Sequence, residues 1–259
     1  MLPFTIDLAK RAGAVLREGA TRPRTVERKG PFDLVTDVDR ASETLVVAAI
    51  REQFPDHAVL AEEGGGVERE SAWLWIIDPL DGTNNYAHNF PYYCVSLALL
   101  HEKKLFLGVI YDPNRDEVFA AQQGDGATCN GVPIHVSSAP VLGDSLISTG
   151  FPYDFADNPH NNAPEFTRVH RYVQGIRRAG SAALDLANVA CGRLDAHWEL
   201  GLKPWDGAAG ALLVQEAGGR VTDRDGGQWT PWSASMIATN GHIHSELSTI
   251  INQESEARG

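Results

Sequence analysis

Two aspartates, Asp78 and Asp81, flank a Pro79-Leu80 corner at the end of an apolar run, in the stretch WIIDPLDGTNNYAHNFP from Trp75 to Pro91. The run reads as a strand that delivers Asp78; the proline stiffens the corner and Asp81 follows at i+3. Two carboxylates are thereby held near one point. Hard cations such as Mg²⁺ take oxygen ligands in near-octahedral geometry, usually from few carboxylates, with water and phosphate oxygens completing the shell. The backbone carbonyl of Leu80 offers one more oxygen. Gly82 lets the chain approach an anion closely, and the amides of Gly82 and Thr83 at a helix start would cradle a phosphate. Taken alone, the same residues are equally an Asp-rich turn that caps a helix.

The chain-wide composition bears on that choice. The 259 residues carry a formal net charge of −12, with 43% hydrophobic and 22% charged residues, which suits one large globular domain or two small ones sharing an interface. No basic cluster of the kind that marks a nucleic-acid surface occurs, Arg177 and Arg178 making only a pair, so nucleic acid is not an expected partner. An acidic enzyme can still take anionic substrates if some carboxylates are reserved for metal ions. Cys94, Cys129 and Cys191 form no CxxC pair, which predicts buried thiols rather than a zinc site or a disulfide framework. No run of 18 apolar residues occurs and polar residues punctuate the start. The expectation is a cytoplasmic protein without a membrane partner.

Several elements must position these groups. Thr5 is expected to cap a helix running to about Arg17, followed by polar loop and turn from Arg22 to Asp37 and a second helix from about Val38 to Phe54. Val59 and Leu60 start a short strand that leads to Glu62 and Glu63, after which Gly64, Gly65 and Gly66 loosen the chain. Apolar runs at Trp73–Ile77, Cys94–His101, Leu105–Tyr111 and Glu117–Ala121, joined by short turns, predict antiparallel strands. Asn130-Gly131 predicts a hairpin. Helices are expected over Ser181–Cys191 and Asp206–Ala217, each closed by glycine. The organisation is an antiparallel α+β half, residues 1–140, and an α/β half, residues 141–259, in one compact catalytic unit.

Further matches set the turn in context. Asp78-Pro79-Leu80-Asp81-Gly82-Thr83 resembles the DPxDGT signature of the inositol monophosphatase family. Trp205-Asp206-Gly207-Ala208-Ala209-Gly210 with downstream Glu216-Ala217-Gly218-Gly219 resembles its second signature, and Glu62-Glu63 stands where the family keeps a glutamate pair. Matches continue through Asp33–Asp39 and Arg178–Ala183, so the resemblance spans nearly the whole chain. It implies a layered αβαβα sandwich, commonly a homodimer, and a lithium-sensitive phosphatase that uses two or three Mg²⁺ ions per active site. The implied ligands are Glu62, Asp78, Asp81, Asp206 and the Leu80 carbonyl, with Asp78 bridging, Asp81 and Asp206 on one ion and Glu62 on the other. The resemblance further implies that Thr83 orients the attacking water with Glu62 and that Asp39 holds Thr83. Lys29 and Asp33 match a loop tied to a third, weaker magnesium site, here one residue shorter between lysine and aspartate. Glu63 is as much an outer neighbour of the site as a ligand.

Substrate choice falls to residues that meet the alcohol. Glu199 matches a glutamate that accepts from ring hydroxyls, and Gly180, Ser181 and Ala182 match the segment lining the same pocket, with the Ser181 backbone and hydroxyl free to bond substrate. A small phosphorylated polyol, inositol 1-phosphate first, is therefore the expected substrate. Histidinol phosphate or a broader sugar phosphate is the alternative within the family, and a regulatory protein-binding role the alternative outside catalysis. Phe90, Tyr92 and Tyr93 are expected in the core; His242 and His244 are expected on the surface.

Overall fold

The computed structural model describes residues 1–64 and 70–253; of the three glycines after Glu63, Gly65 and Gly66 lie outside them. The first part of the chain runs α1 (Leu2–Ala20), β1 (Val26–Arg28), β2 (Leu34–Thr36), α2 (Asp37–Gln53), β3 (Ala58–Ala61), β4 (Trp73–Asp81), α3 (Thr83–Ala87), β5 (Cys94–His101), β6 (Lys104–Asp112), β7 (Glu117–Gln122), β8 (Ala127–Cys129) and β9 (Val132–Ile134). The second part runs β10 (Leu146–Thr149), α4 (Ala163–Val169), β11 (Gly175–Arg177), α5 (Ala182–Ala190), β12 (Ala196–Leu200), α6 (Pro204–Glu216), β13 (Arg220–Thr222), β14 (Ser235–Thr239) and α7 (His244–Asn252).

Strands β3 to β9 form one sheet in sequence order, parallel only at β3–β4, and a second sheet has the order β11-β10-β12-β14-β13. Along β4 the side chains alternate: Trp75 and Ile77 pack with Leu8, Leu16, Val46 and Ile50 of α1 and α2. Ile76 instead joins Leu184, Leu186, Leu212 and Leu213 of α5 and α6. Both faces of the first sheet are covered, so its central strands read as continuous apolar runs although they pair antiparallel. The α5–α6 layer also meets Met236 and Ala238 of the second sheet, whose other face buries Ile147, Trp198 and Ile237 against Val169, Leu247 and Ile251 of α4 and α7. The layers are thus α1α2, sheet, α5α6, sheet, α4α7, the αβαβα order expected. Among the described residues no helix is long and apolar enough to cross a membrane.

Several expectations need correction. Helix α1 starts at Leu2, with Pro3 in the first turn where its missing N–H is harmless, and Thr5 lies inside it, its hydroxyl donating to the Met1 carbonyl at 3.2 Å. The stretch read as loop contains the β1–β2 hairpin; β1 is exposed throughout and so shows no apolar alternation. Helix α6 starts at Pro204, which places Asp206 in its first turn rather than at its cap. Phe90 is 53% exposed, whereas Tyr93 is buried. His244 is buried, held by the hydroxyls of Thr222 and Thr239 at 3.0 Å each. Of the thiols, Cys94 is buried and Cys129 and Cys191 are only partly so. Asn130 and Gly131 do form a hairpin turn, with φ of 51° and 77°.

Candidate active site

The corner after β4 is built by a bulge. Asp78 pairs with Ser96 and Asp81 with Cys94, so β4 carries one residue more than β5 between the two pairs. In a regular strand residues three apart face opposite ways; the extra residue returns both carboxylates to one face. Asp78 Oδ1 accepts from Leu80 N at 3.0 Å, and Ser42 Oγ of α2 donates to the Pro79 carbonyl at 3.0 Å. Gly82 has φ of +96°, and a Cβ there would stand 2.9 Å from the Tyr92 carbonyl. Only glycine fits.

Three other elements converge on this corner. Thr36 caps α2, with Asp39 Oδ2 accepting from the Thr36 backbone N–H at 2.9 Å in a capping box. The other Asp39 oxygen, Oδ1, accepts from Thr83 Oγ1 at 2.9 Å. That hydroxyl also lies 3.0 Å from the Leu80 carbonyl. Asp39 is 1% exposed, and burial pushes its carboxyl up to about 6. From α5, Ser181 Oγ and Ala183 N donate to Asp81 Oδ2 at 2.6 and 2.8 Å. The Ser181 hydroxyl is therefore engaged with Asp81 and, as helix cap, accepts from Leu184 N; it is not free for substrate as expected. From α6, Asp206 Oδ2 accepts from Lys203 N at 2.7 Å.

Each hydrogen bond named to Asp78, Asp81 and Asp206 uses one oxygen and leaves the other. These carboxylates feel one another. Burial first, then the charges of Glu62, Asp81 and Asp206, hold Asp78 well above the usual carboxylate range; burial does the same to Asp206, helped by Asp81, Glu199 and Glu62. Burial raises Asp81 to about 6 and also raises Glu62. So much uncompensated buried negative charge favours a cation. Among the described residues no three carboxylate, imidazole or thiol groups converge on one metal position by themselves. Magnesium commonly takes only one or two carboxylates, the remainder of its shell being water and phosphate. The donors at hand are all oxygens, including the Leu80 carbonyl, and fit that ion.

Lys29 lies between Glu62 and Glu63, its Nζ 2.8 and 2.7 Å from their Oε1 atoms, while Asp33 is 3.8 Å away. Burial would lower the Lys29 ammonium, but the two glutamates outweigh it and raise it. Glu63 also donates its backbone N–H to Glu43 at 2.8 Å. On the substrate side, Glu199 projects from β12, and a Cβ at Gly150 would sit 2.1 Å from its carboxylate. Gly180, with φ of +89°, is fixed beside Asn85, whose carboxamide donates to the carbonyls of Tyr92, Ala179 and Gly180.

Sequence reading missed Ser42, Glu43 and Asn85, which brace the site through backbone groups that leave no spacing signature. It also gave no role to Tyr153, which is 49% exposed and whose phenol is raised by burial and then by the charges of Asp81, Asp33, Glu62 and Asp206.

The chain is similar to known proteins over nearly its whole length. The family model "Inositol monophosphatase family" matches residues 1–257. An inositol-1-monophosphatase of Synechocystis is 46% identical over 249 residues, covering 95% of this chain and 87% of that protein. The Nus factor SuhB of Pseudomonas aeruginosa is 43% identical over 260 residues, covering 97% and 95%. The solved inositol monophosphatase of Anabaena superposes with a TM-score of 0.88 at 46% identity, over 96% of this chain and 94% of that one. An IMPase/NADP phosphatase solved with Mg²⁺ and phosphate gives 0.84 at 30% identity, over 95% and 92%. The chain is therefore a phosphatase of the inositol monophosphatase family.

Proposed function

We propose that this protein is a magnesium-dependent phosphomonoesterase that hydrolyses inositol 1-phosphate to inositol and phosphate. The observation that carries the reading is the set of carboxylates around the Thr83–Asp39 pair, Asp78 and Asp81 buried and Glu62 and Asp206 half-buried, with one oxygen of Asp78, Asp81 and Asp206 left unused by the hydrogen bonds named. Glu62, Asp78, Asp81, Asp206 and the Leu80 carbonyl would hold the ions, with Asp33 and the Lys29 loop beside a third. Bound magnesium supplies charge neutralisation of the phosphoryl oxygens, acidification of water and stabilisation of the leaving alkoxide. The chain's own residues do the orienting. Thr83 Oγ1 commits its proton to Asp39 and turns a lone pair towards the attacking water, which the Glu62 carboxylate holds from a second side. The amides of Gly82 and Thr83 face the phosphate. Glu199 accepts from substrate hydroxyls, and the segment Gly180–Ala182 walls the same pocket.

Phosphate release from inositol 1-phosphate, histidinol phosphate, fructose 1,6-bisphosphate and adenosine 3′,5′-bisphosphate, each with magnesium, EDTA or added lithium, tests this. Preference for inositol 1-phosphate, lost in EDTA and reduced by lithium, is expected. Preference for histidinol phosphate would reassign the substrate and keep the metal site, while magnesium-independent release would remove the metal reading.

The 43% identity to a Nus factor supports a second reading, a regulatory protein-binding role. A partner captured equally by the wild-type chain and by Asp78→Asn would support that role independently of catalysis. A homodimer is the expected assembly, checked by light scattering.

A further inference from the structure

Residues two apart on a strand share a face, so His197 and Glu199 of β12 both look towards α5, away from Trp198. His197 is fully buried. Its Nδ1 lies 3.0 Å from Oγ of Ser148, its direct partner on β10, and 3.7 Å from Asp185 Oδ2 of α5. Asp185 is fixed in turn, Oδ1 accepting from the Tyr92 hydroxyl at 2.6 Å, and that hydroxyl accepts from Asn188. The imidazole is thus clamped on its Nδ1 side. Its Nε2 has no hydrogen-bond partner within normal geometry, and the group it faces is Glu199 Oε2 at 3.4 Å. Gly150 packs against the same carboxylate, and a Cβ there would stand 2.1 Å from it.

We propose that His197 is a positioning residue for Glu199: its Nε2–H aims the carboxylate into the pocket and so sets selectivity for a hydroxylated leaving group. This rests on the reading of Glu199 as the acceptor of substrate hydroxyls. A glutamate side chain loses considerable rotamer freedom when fixed. With His197 facing the carboxylate and a bare glycine packed against it, that loss falls on folding rather than on substrate binding, which is how preorganisation raises affinity. A buried N–H without a partner is unfavourable, and Glu199 Oε2 is the acceptor that faces it. The protonation pattern agrees: burial would lower His197, yet Glu199 and Asp185 outweigh it and raise it, while burial lifts Asp185 to about 7.

Steady-state kinetics of the magnesium-loaded enzyme on inositol 1-phosphate and on p-nitrophenyl phosphate, whose leaving group has no further hydroxyl, test the assignment. In His197→Phe, KM for inositol 1-phosphate should rise about tenfold while kcat and both constants for p-nitrophenyl phosphate stay within about twofold. His197→Gln, whose amide reaches the Nε2 position and donates, should restore most of the loss. His197→Phe combined with Glu199→Gln should be no worse than Glu199→Gln alone. Equal loss on both substrates, no change, or additive losses would overturn the proposal. If Glu199→Gln itself leaves the substrate ratio unchanged, the parent reading of Glu199 fails; a change there without one in His197→Phe sinks only the role of His197. Should His197→Phe not fold, ¹⁵N NMR of the wild-type imidazole decides: a proton on Nε2 whose shift moves in Glu199→Gln supports the assignment, and an unprotonated Nε2 rejects it.

Discussion

At the scale of single residues, the site is a set of acids that the fold holds without enough countercharge. Asp78→Asn and Asp206→Asn keep the acceptor that meets Leu80 N or Lys203 N and remove the charge. Turnover should fall on the order of 100-fold or more, since a metal's contribution to the transition state amounts to several kcal/mol. Melting in EDTA should be unchanged or raised, because a buried carboxylate crowded by others is relieved by neutralisation. Melting with and without magnesium checks both halves: the wild type should gain stability from the ion and the variants should gain less. Undiminished turnover in a folded variant would reject the ligand assignment. Asp39→Asn leaves one oxygen where Thr36 and Thr83 use two, so it should lower kcat more than KM.

At the scale of elements, the loops and caps set the aim. Thr36→Ala removes the side-chain arm of the capping box on α2 and the hydroxyl bond to Asp39, leaving the backbone N–H arm; the loss should cost about 1 kcal/mol and loosen Asp39 beneath Thr83. Urea melts paired with kcat would detect both; a loss of stability with intact kcat would separate the cap from the site. His244, buried between β13 and β14 at the start of α7, is lowered to about 4, chiefly by burial. The unfolded chain therefore takes up this proton near the ordinary pKa of about 6.5 while the folded one does not. Its share of stability is complete above that value and drains as pH falls towards 4, at no more than about 1.4 kcal/mol per pH unit. Denaturation between pH 7.5 and 4.5 should show a shallower loss in His244→Gln than in the wild type.

At the scale of the whole molecule, the α5–α6 layer joins the two sheets and carries two sides of the site, Ser181 with Ala183 against Asp81 on one and Asp206 on the other. Its closeness depends on missing side chains: a Cβ at Gly108 of β6 would meet the Ala209 carbonyl at 2.8 Å, and one at Gly210 would meet Leu186 at 2.5 Å. Gly108→Val forces α6 off the sheet against rigid backbone, for about 1–3 kcal/mol or more by overpacking. Because Asp206 rides on α6, magnesium affinity should fall along with the melting temperature. Titration calorimetry on the folded fraction checks this, and normal affinity would show that the layer tolerates displacement.

The chemistry of the corner was legible in the sequence because it is local. Asp78, Pro79, Leu80, Asp81 and Gly82 are neighbours whose turn is fixed by proline, glycine and one extra strand residue. Apolar runs and the turn residues between them likewise announced β4 to β7, and terminal glycines announced α5 and α6. What only the tertiary structure decided is everything whose partner lies far along the chain: Ser181 spent on Asp81, Lys29 between two glutamates, and Asn85 reaching the Gly180 segment. His244 and His197 could not be placed from sequence because a lone histidine has the same local pattern in water as in a core. Burial belongs to the packing of layers, and the packing supplied the hydroxyls and carboxylates that make those two histidines stable where they are.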